Sequence, residues 1–445
     1  MPGMSRTAVA ALAASASIAL LTTGCTGQSG SGANDDASKE TTINFWHAWS
    51  APGEVKAVKT LVAGFEKAHP NIQVNVVGNM TDDKINQALR TGGDKAPDVI
   101  SSFTTNNVGK FCSSGALVDL DPFFEKSGVD PAKTFPKTMN EYTRFEGNRC
   151  TVPLLGDAYG LYYNKTAFKK AGIDSPPKTW SEFESDAKKL TVTKGDTYSQ
   201  LGFMPNYHGW ESTTEHYFGQ FSPTYFDKAG KSNLAGDPAF EAGFTLQKRL
   251  VDELGGFRRL EKYRSELGDE WGPKHPFHTG QVAMQLDGEW RLGMAEEAKP
   301  GFEIGVAPLP VPDGQADQYG KGYITGTIAG IAATSKKQNA AWEFVKYMTT
   351  DTDAVVGFAN SIHNVPSTLA ALKSPKLKYD PRFKTFLDIA ADPDSTTTPA
   401  SLNGGTYLVT IQQFGYDYES GRAKDLKAGL RKTAEQIDTD IAQAK

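Results

Sequence analysis

Aromatic side chains set directly beside polar ones recur along this 445-residue sequence. Trp46-His47-Ala48-Trp49-Ser50, Tyr207-His208-Gly209-Trp210-Glu211 and Asp287-Gly288-Glu289-Trp290 are three such clusters. Tyr407 and Phe414-Gly415-Tyr416-Asp417-Tyr418 are of the same kind, and all read as loop segments. A flat ring offers an apolar face, while a neighbouring acid, amide or imidazole offers hydrogen bonds. That combination suits a ligand with C–H faces and a rim of hydroxyls, as a sugar has. A missed buried hydrogen bond costs about 1–3 kcal/mol, so the polar partners would set selectivity. Taken singly, each aromatic has a competing reading as a core residue.

Motifs for making or breaking bonds are missing. The sequence holds no Gly-x-Ser-x-Gly elbow, no Gly-x-x-x-x-Gly-Lys-Ser/Thr loop and no His-Glu-x-x-His. Gly320-Lys321-Gly322-Tyr323-Ile324-Thr325-Gly326 approaches a dinucleotide fingerprint but misplaces the last glycine by one position and follows an irregular stretch. His275 and His278 are the one near pair of histidines, with no cysteine beside them. We therefore expect no metal, no cofactor and no catalytic residue. Carboxylates are plentiful enough for a glycosidase pair, but no short motif marks one. Lys+Arg of 47 against Asp+Glu of 52 leaves a net charge of -5, which excludes a general nucleic-acid binder. Hydrophobic residues at 39% with charged residues at 22% fit a globular chain of two or three domains.

The elements that would position these clusters alternate in type. Thr42–Trp46 is a short strand, and Pro52 in a first turn opens a helix whose Val55, Val58, Leu61, Val62 and Phe65 fall at helical spacing. His69-Pro70 stops it. Ile72, Val74 and Val76 alternate with polar residues as a half-buried strand, Ile85 to Arg90 is a second helix, and Ala96-Pro97-Asp98-Val99-Ile100 enters a third strand. That order implies parallel β/α packing. Further helices are expected over Trp180–Leu190, from Asp237-Pro238 onward, over Asn339–Met348 and over about 423–444.

Residues 1–24 carry one charged side chain, Arg6, then an apolar stretch of roughly 15 residues, too short to span a membrane stably. It ends in Leu21-Thr22-Thr23-Gly24-Cys25, which resembles a bacterial lipobox, with Leu21 one place further from the cysteine than usual. We expect a lipoprotein signal peptide over 1–24, with Cys25 lipidated by a palmitate-type chain; the plainer alternative is an ordinary secretory signal. Residues 25–40, rich in Gly and Ser, form a flexible tether. The localisation expected is the extracytoplasmic face of the cell membrane, held by the lipid. Cys112 and Cys150 remain as an even pair in an oxidising compartment. A bridge between them would close a loop of about 39 residues, worth about 4 kcal/mol in the chain-entropy model; two separate thiols are the alternative.

Several segments together resemble the family 1 extracellular solute-binding proteins. They are the lipobox, Ile43-Asn44-Phe45-Trp46-His47, Ala96-Pro97-Asp98-Val99, Tyr162-Tyr163-Asn164-Lys165, the run from Phe277 to Trp290, Asn339 to Lys346, and Asn364-Val365-Pro366. These are the sugar-capturing subunits of ABC importers, a group that includes the maltose-binding protein. The resemblance implies an α/β, two-lobed periplasmic-binding-protein-like fold, each lobe a mostly parallel sheet flanked by helices. The N-terminal lobe would take 41–155 and 323–375, and the C-terminal lobe 156–322 and 376–445. It also implies Trp290 as a stacking platform, Asp157 as a hydrogen-bonding acid near the hinge, and His47 and Trp49 as ligand-facing residues of the first lobe. Trp210 would face ligand from the second lobe, with Tyr323 and Asn364 on hinge-side loops. Phe277, Gly280, Ala283 and Met284 would be packing and turn residues. The partners implied are a carbohydrate, more readily an oligosaccharide than a monosaccharide, and the permease subunits of an ABC transporter, the protein itself being a monomer. The alternatives are a binder of a glycerol phosphodiester or other anionic solute, and a lipid-anchored glycoside hydrolase.

Overall fold

The computed structural model describes residues 35–205, 211 and 213–444. Its strands are β1 (Thr41–Trp46), β2 (Ile72–Val77), β3 (Val99–Ser102), β4 (Val152–Asn164), β5 (Val192–Lys194), β6 (Thr197–Phe203), β7 (Val282–Gly288), β8 (Ile304–Ala307), β9 (Ile324–Ile331) and β10 (Val365–Pro366).

They run in the order β2-β1-β3-β9-β4-β7-β6-β5, with β8 and β10 also pairing to β4. β4 belongs to two sheets. Its residues up to Ala158 pair with β9, and those from Tyr159 to Tyr163 pair with β7. The continuous buried run Ile43–Phe45 in β1, the alternation of burial in β2 and the helix between them go with the parallel pairing expected. Parallel pairing is, however, confined to β1 with β2 and β3, and to β6 with β7. The sheets are mixed rather than mostly parallel, because the strands that cross between lobes, β4 and β9, run antiparallel to their neighbours.

Helices begin where local chemistry satisfies their first amides. In Pro52–Ala68, Glu54 Oε2 accepts from the Ala51 amide at 3.0 Å, and Ala57, Val58, Leu61, Val62 and Phe65 form its buried stripe. Thr179 and Glu182 form a reciprocal capping box on Trp180–Leu190. Asp237 caps Pro238–Glu253, and Asp425 caps the last helix, Leu426–Gln443, which therefore starts three residues later than expected.

Each lobe has its own core. Ile43, Phe45, Val58, Phe65 and Phe344 belong to the first, and Leu161, Phe203, Phe244, Leu286, Ile411 and Ile437 to the second. A third cluster lies where the lobes meet and draws Ile100, Phe111 and Tyr142 together with Tyr162, Ile324, Val365 and Phe386. The C-terminal helix packs on the second lobe through Leu430, Ala434 and Ile437. Cys112 and Cys150 are bonded, with an S–S distance of 2.07 Å, tying the helix Val108–Ser113 to the entry of β4. Among the described residues, no helix is long and apolar enough to cross a membrane. Phe277, Ala283 and Met284 are fully buried packing residues, as expected. Tyr407 and the Phe414–Tyr418 run do not form a loop. They lie in the helix Thr406–Glu419, where Tyr407 and Phe414 face the second core.

Candidate functional site

Three elements meet where β4 changes sheets. β4 supplies Asp157, the end of β7 leads into Glu289, and Asn364 stands one residue before β10, whose Val365 pairs with Gly156. The Asn364 amide donates to Asp157 at 2.7 Å and to Glu289 at 2.8 Å, and the Ala158 backbone amide donates to Glu289 at 2.9 Å. Tyr379 holds the other side of this knot by donating to the Asn364 carbonyl. Burial pushes the Asp157 carboxyl up to about 6, opposed by hydrogen bonds from Asn364, Thr325 and Glu289. Glu289 is fully buried and raised well above the usual carboxylate range, first by desolvation and then by the charge of Asp157. Both shifts disfavour the doubly ionised pair, and the Asn364 amide is the donor shared between the two carboxyls.

Aromatic rings continue from this point. Tyr159 stacks on His216 at 3.8 Å, stands edge-on to Trp290 at 5.5 Å and lies 5.6 Å from Tyr323. Trp290 in turn lies 6.3 Å from Trp271. The row therefore runs from Tyr323, beside the crossing strand β9, out to Trp271, which is 55% exposed. Polar groups line its back. Arg291, fully buried, donates to Asp287 at 2.6 Å and to the Glu270 carbonyl at 3.1 Å. The Glu211 amide donates to Glu270 Oε1 at 2.6 Å. Burial raises Glu270 to about 7 and, with the charges of Asp287 and Glu270, raises Glu211 well above the ordinary value.

On the first lobe, Phe103 follows β3, is 47% exposed and meets Trp49 edge-to-face at 5.4 Å. Trp49 itself is only 2% exposed, wedged between Phe103 and Phe358, so it supports the exposed ring instead of offering a face of its own. His47 is also buried, and desolvation lowers it to about 4, so it is a neutral imidazole at physiological pH. Tyr323 is buried too, its hydroxyl hydrogen-bonded with Thr398 at 3.0 Å.

Of the residues read from sequence, Asp157, Asn364, Trp290 and Tyr323 thus lie in or beside one network, whereas His47 and Trp49 lie inside the first lobe. Trp210 and Cys25 fall outside the described residues. Sequence reading missed Phe103, Tyr159, His216, Glu270 and Trp271. One signal was there for the last two: Glu270-Trp271 repeats the dipeptide Glu289-Trp290. A separate groove of about 590 Å3, lined by Glu141, Arg144, Pro223, Tyr225, Pro399 and Ser401, contains none of the residues of this network. No group of three or more His, Cys, Asp or Glu side chains able to hold a metal occurs among the described residues.

Comparison with known proteins bears on the same architecture. The family described as bacterial extracellular solute-binding protein matches residues 50–355. A maltotriose-binding protein of Pyrococcus abyssi is 23% identical over 343 residues, 76% of this chain and 69% of that protein. The sn-glycerol-3-phosphate-binding periplasmic protein of Brucella abortus is 26% identical over 350 residues, 76% of this chain and 78% of that one. The solved sugar-binding protein MalE of Xanthomonas citri superposes with a TM-score of 0.75 at 22% identity, over 91% of this chain and 98% of that chain. That last likeness is one of fold.

Proposed function

Since the chain belongs to the bacterial extracellular solute-binding proteins, we propose that it captures a carbohydrate between its lobes and hands it unaltered to the permease of an ABC importer. The observation that carries this reading is the aromatic row from Tyr323 to Trp271, which adjoins the Asp157–Asn364–Glu289 network. Rings supply faces for sugar C–H groups. The amide and the acids supply the hydrogen-bonding partners that hydroxyls need.

Trp290 and Asp157 are the first contacts in this reading, with Asn364 aligning the acids. Tyr323 acts from behind as a support, as do His47 and Trp49 in the first lobe, and Trp210 keeps the ligand-facing role that the family resemblance implies. The lobes divide at 155/156, 322/323 and 375/376, and ligand bridging them shifts the population toward a closed form. Cys25 anchors the mature protein to the membrane through lipid; the tether expected over 25–40 stops short of Asp35, which accepts from the Asn339 and Ala340 amides and so is already docked on the first lobe.

The likeness to a glycerol-3-phosphate binder raises an anionic solute as the other reading. The network argues against it, because Arg291 is fully buried and paired with Asp287, and the ionisable groups at the junction, Asp157 and Glu289, are acids. A hydrolase is disfavoured because both acids at the junction are engaged with the one Asn364 amide. A thermal-shift screen of mono-, di- and oligosaccharides alongside glycerol 3-phosphate tests the reading. A sugar should raise the melting temperature by mass action and be recovered intact by mass spectrometry. A shift with the phosphate alone, or a cleaved glycan, overturns it.

A further inference from the structure

We propose that Trp271 is a second sugar platform beside Trp290, so that this site selects oligosaccharides over monosaccharides. The inference rests on the carbohydrate reading above and goes beyond it in assigning the residue that measures chain length.

Trp271 is the one tryptophan among the described residues to rank as an exposed large hydrophobic side chain, at 55%. An indole left in water forfeits the burial that rings of its size usually gain. Here the exposed ring is held in place with care. The peptide that leads into it begins at the Glu270 carbonyl, which accepts from Arg291 at 3.1 Å. The Glu270 side chain, 8% exposed, accepts the Glu211 amide at 2.6 Å. Arg291 is locked to Asp287 at 2.6 Å, and its guanidinium carbon lies 5.7 Å from the Trp271 ring centroid. Burying these charged groups is expensive, and what they fix is the turn that carries Trp271. A ring with a cation against it and solvent on its open side is a preorganised surface, which loses little entropy when a ligand stacks on it.

The second observation is the relation to Trp290. The two ring centroids are 6.3 Å apart with planes inclined by 32°. That puts two indoles in succession along the row, at a separation on the scale of one sugar unit and its neighbour. One ring lies toward Tyr159 and the junction, and the other lies toward open solvent. A monosaccharide on the inner ring would leave the outer one idle, whereas each longer chain would gain a stacking contact.

The test is isothermal calorimetry on the full mature protein with gluco- and manno-oligosaccharides of increasing length, comparing wild type, Trp271→Ala and Trp271→Phe. Wild type should gain affinity as the chain grows from one unit. Trp271→Ala should erase that gain, by about tenfold or more for the longer glycans, while the shortest glycan that binds keeps its affinity. Trp271→Phe should recover part of the gain, and all three proteins should melt alike without ligand. Acrylamide quenching of tryptophan emission should fall on adding a long glycan to wild type and change less in Trp271→Ala. A length-dependent gain that survives in Trp271→Ala, or an equal loss at every length, overturns the assignment and leaves the carbohydrate reading standing. Wild type that binds no glycan of the panel overturns the carbohydrate reading, and this assignment with it.

Discussion

At the residue scale the site is a set of acids pushed toward neutrality. Glu270 is the cleanest to probe, because glutamine preserves its shape and can still accept the Glu211 amide. Its folded value is raised to about 7 from an ordinary 4.5. A raised acid stabilises the fold fully below its unfolded value and loses that contribution as pH climbs to the folded one. Glu270→Gln should therefore melt close to wild type near pH 4.5 and progressively higher than wild type toward pH 7.5. A difference that stays flat across that window would refute the assignment. Buried His47 works in the opposite sense, since its lowered value costs stability as pH falls from 6.5 toward 4. It is common to both proteins and cancels in the difference. Trp290→Ala should weaken binding of any sugar the protein takes by tenfold or more, about 1.4 kcal/mol at least. The variant must remain folded by circular dichroism; unchanged calorimetric affinity would remove Trp290 from the contacts. Sequence alone reached Asp157, Trp290 and Asn364 through motif resemblance. It could not show that one amide joins Asp157 to Glu289, because those acids are 132 positions apart and only strand register brings them together.

At the element scale, patterning was legible wherever an element both repeats apolar residues and carries its own cap. Pro52–Ala68 and Trp180–Leu190 have both, and their limits agree with the spacing of their apolar residues. Thr406–Glu419 has neither a side-chain cap nor a strong polar face, so its aromatic and polar residues read as a loop. Packing of Tyr407, Leu408, Ile411 and Phe414 against the second core decides the matter. The Cys112–Cys150 bridge fastens a first-lobe helix to β4 just before that strand crosses. Replacing both cysteines with serine should lower the unfolding free energy by about 2–4 kcal/mol in a denaturant titration. If the midpoint does not move, the bridge contributes nothing to holding that helix.

At the scale of the whole molecule, the two lobes share strand β4 and a joint cluster around Tyr142, Tyr162, Ile328 and Phe386. The proposed closure would therefore be a rotation within a continuous hydrogen-bonded ribbon rather than a swing about a loose linker. Small-angle scattering should show a smaller radius of gyration with a bound oligosaccharide than without; identical profiles with saturating ligand would exclude closure. The order β3-β9-β4 carries another consequence. A nascent chain that has reached residue 320 already contains β1 to β4, yet the strand that fits between β3 and β4 has not been made. The half of the molecule encoded first is consequently completed only after β7 and β8 have been synthesised, and the second core still waits for the helices Thr406–Glu419 and Leu426–Gln443. Growth from the N-terminus does not lead to stepwise completion of the structure, and through most of translation the polypeptide stays unclosed and open to whatever machinery must thread or escort it.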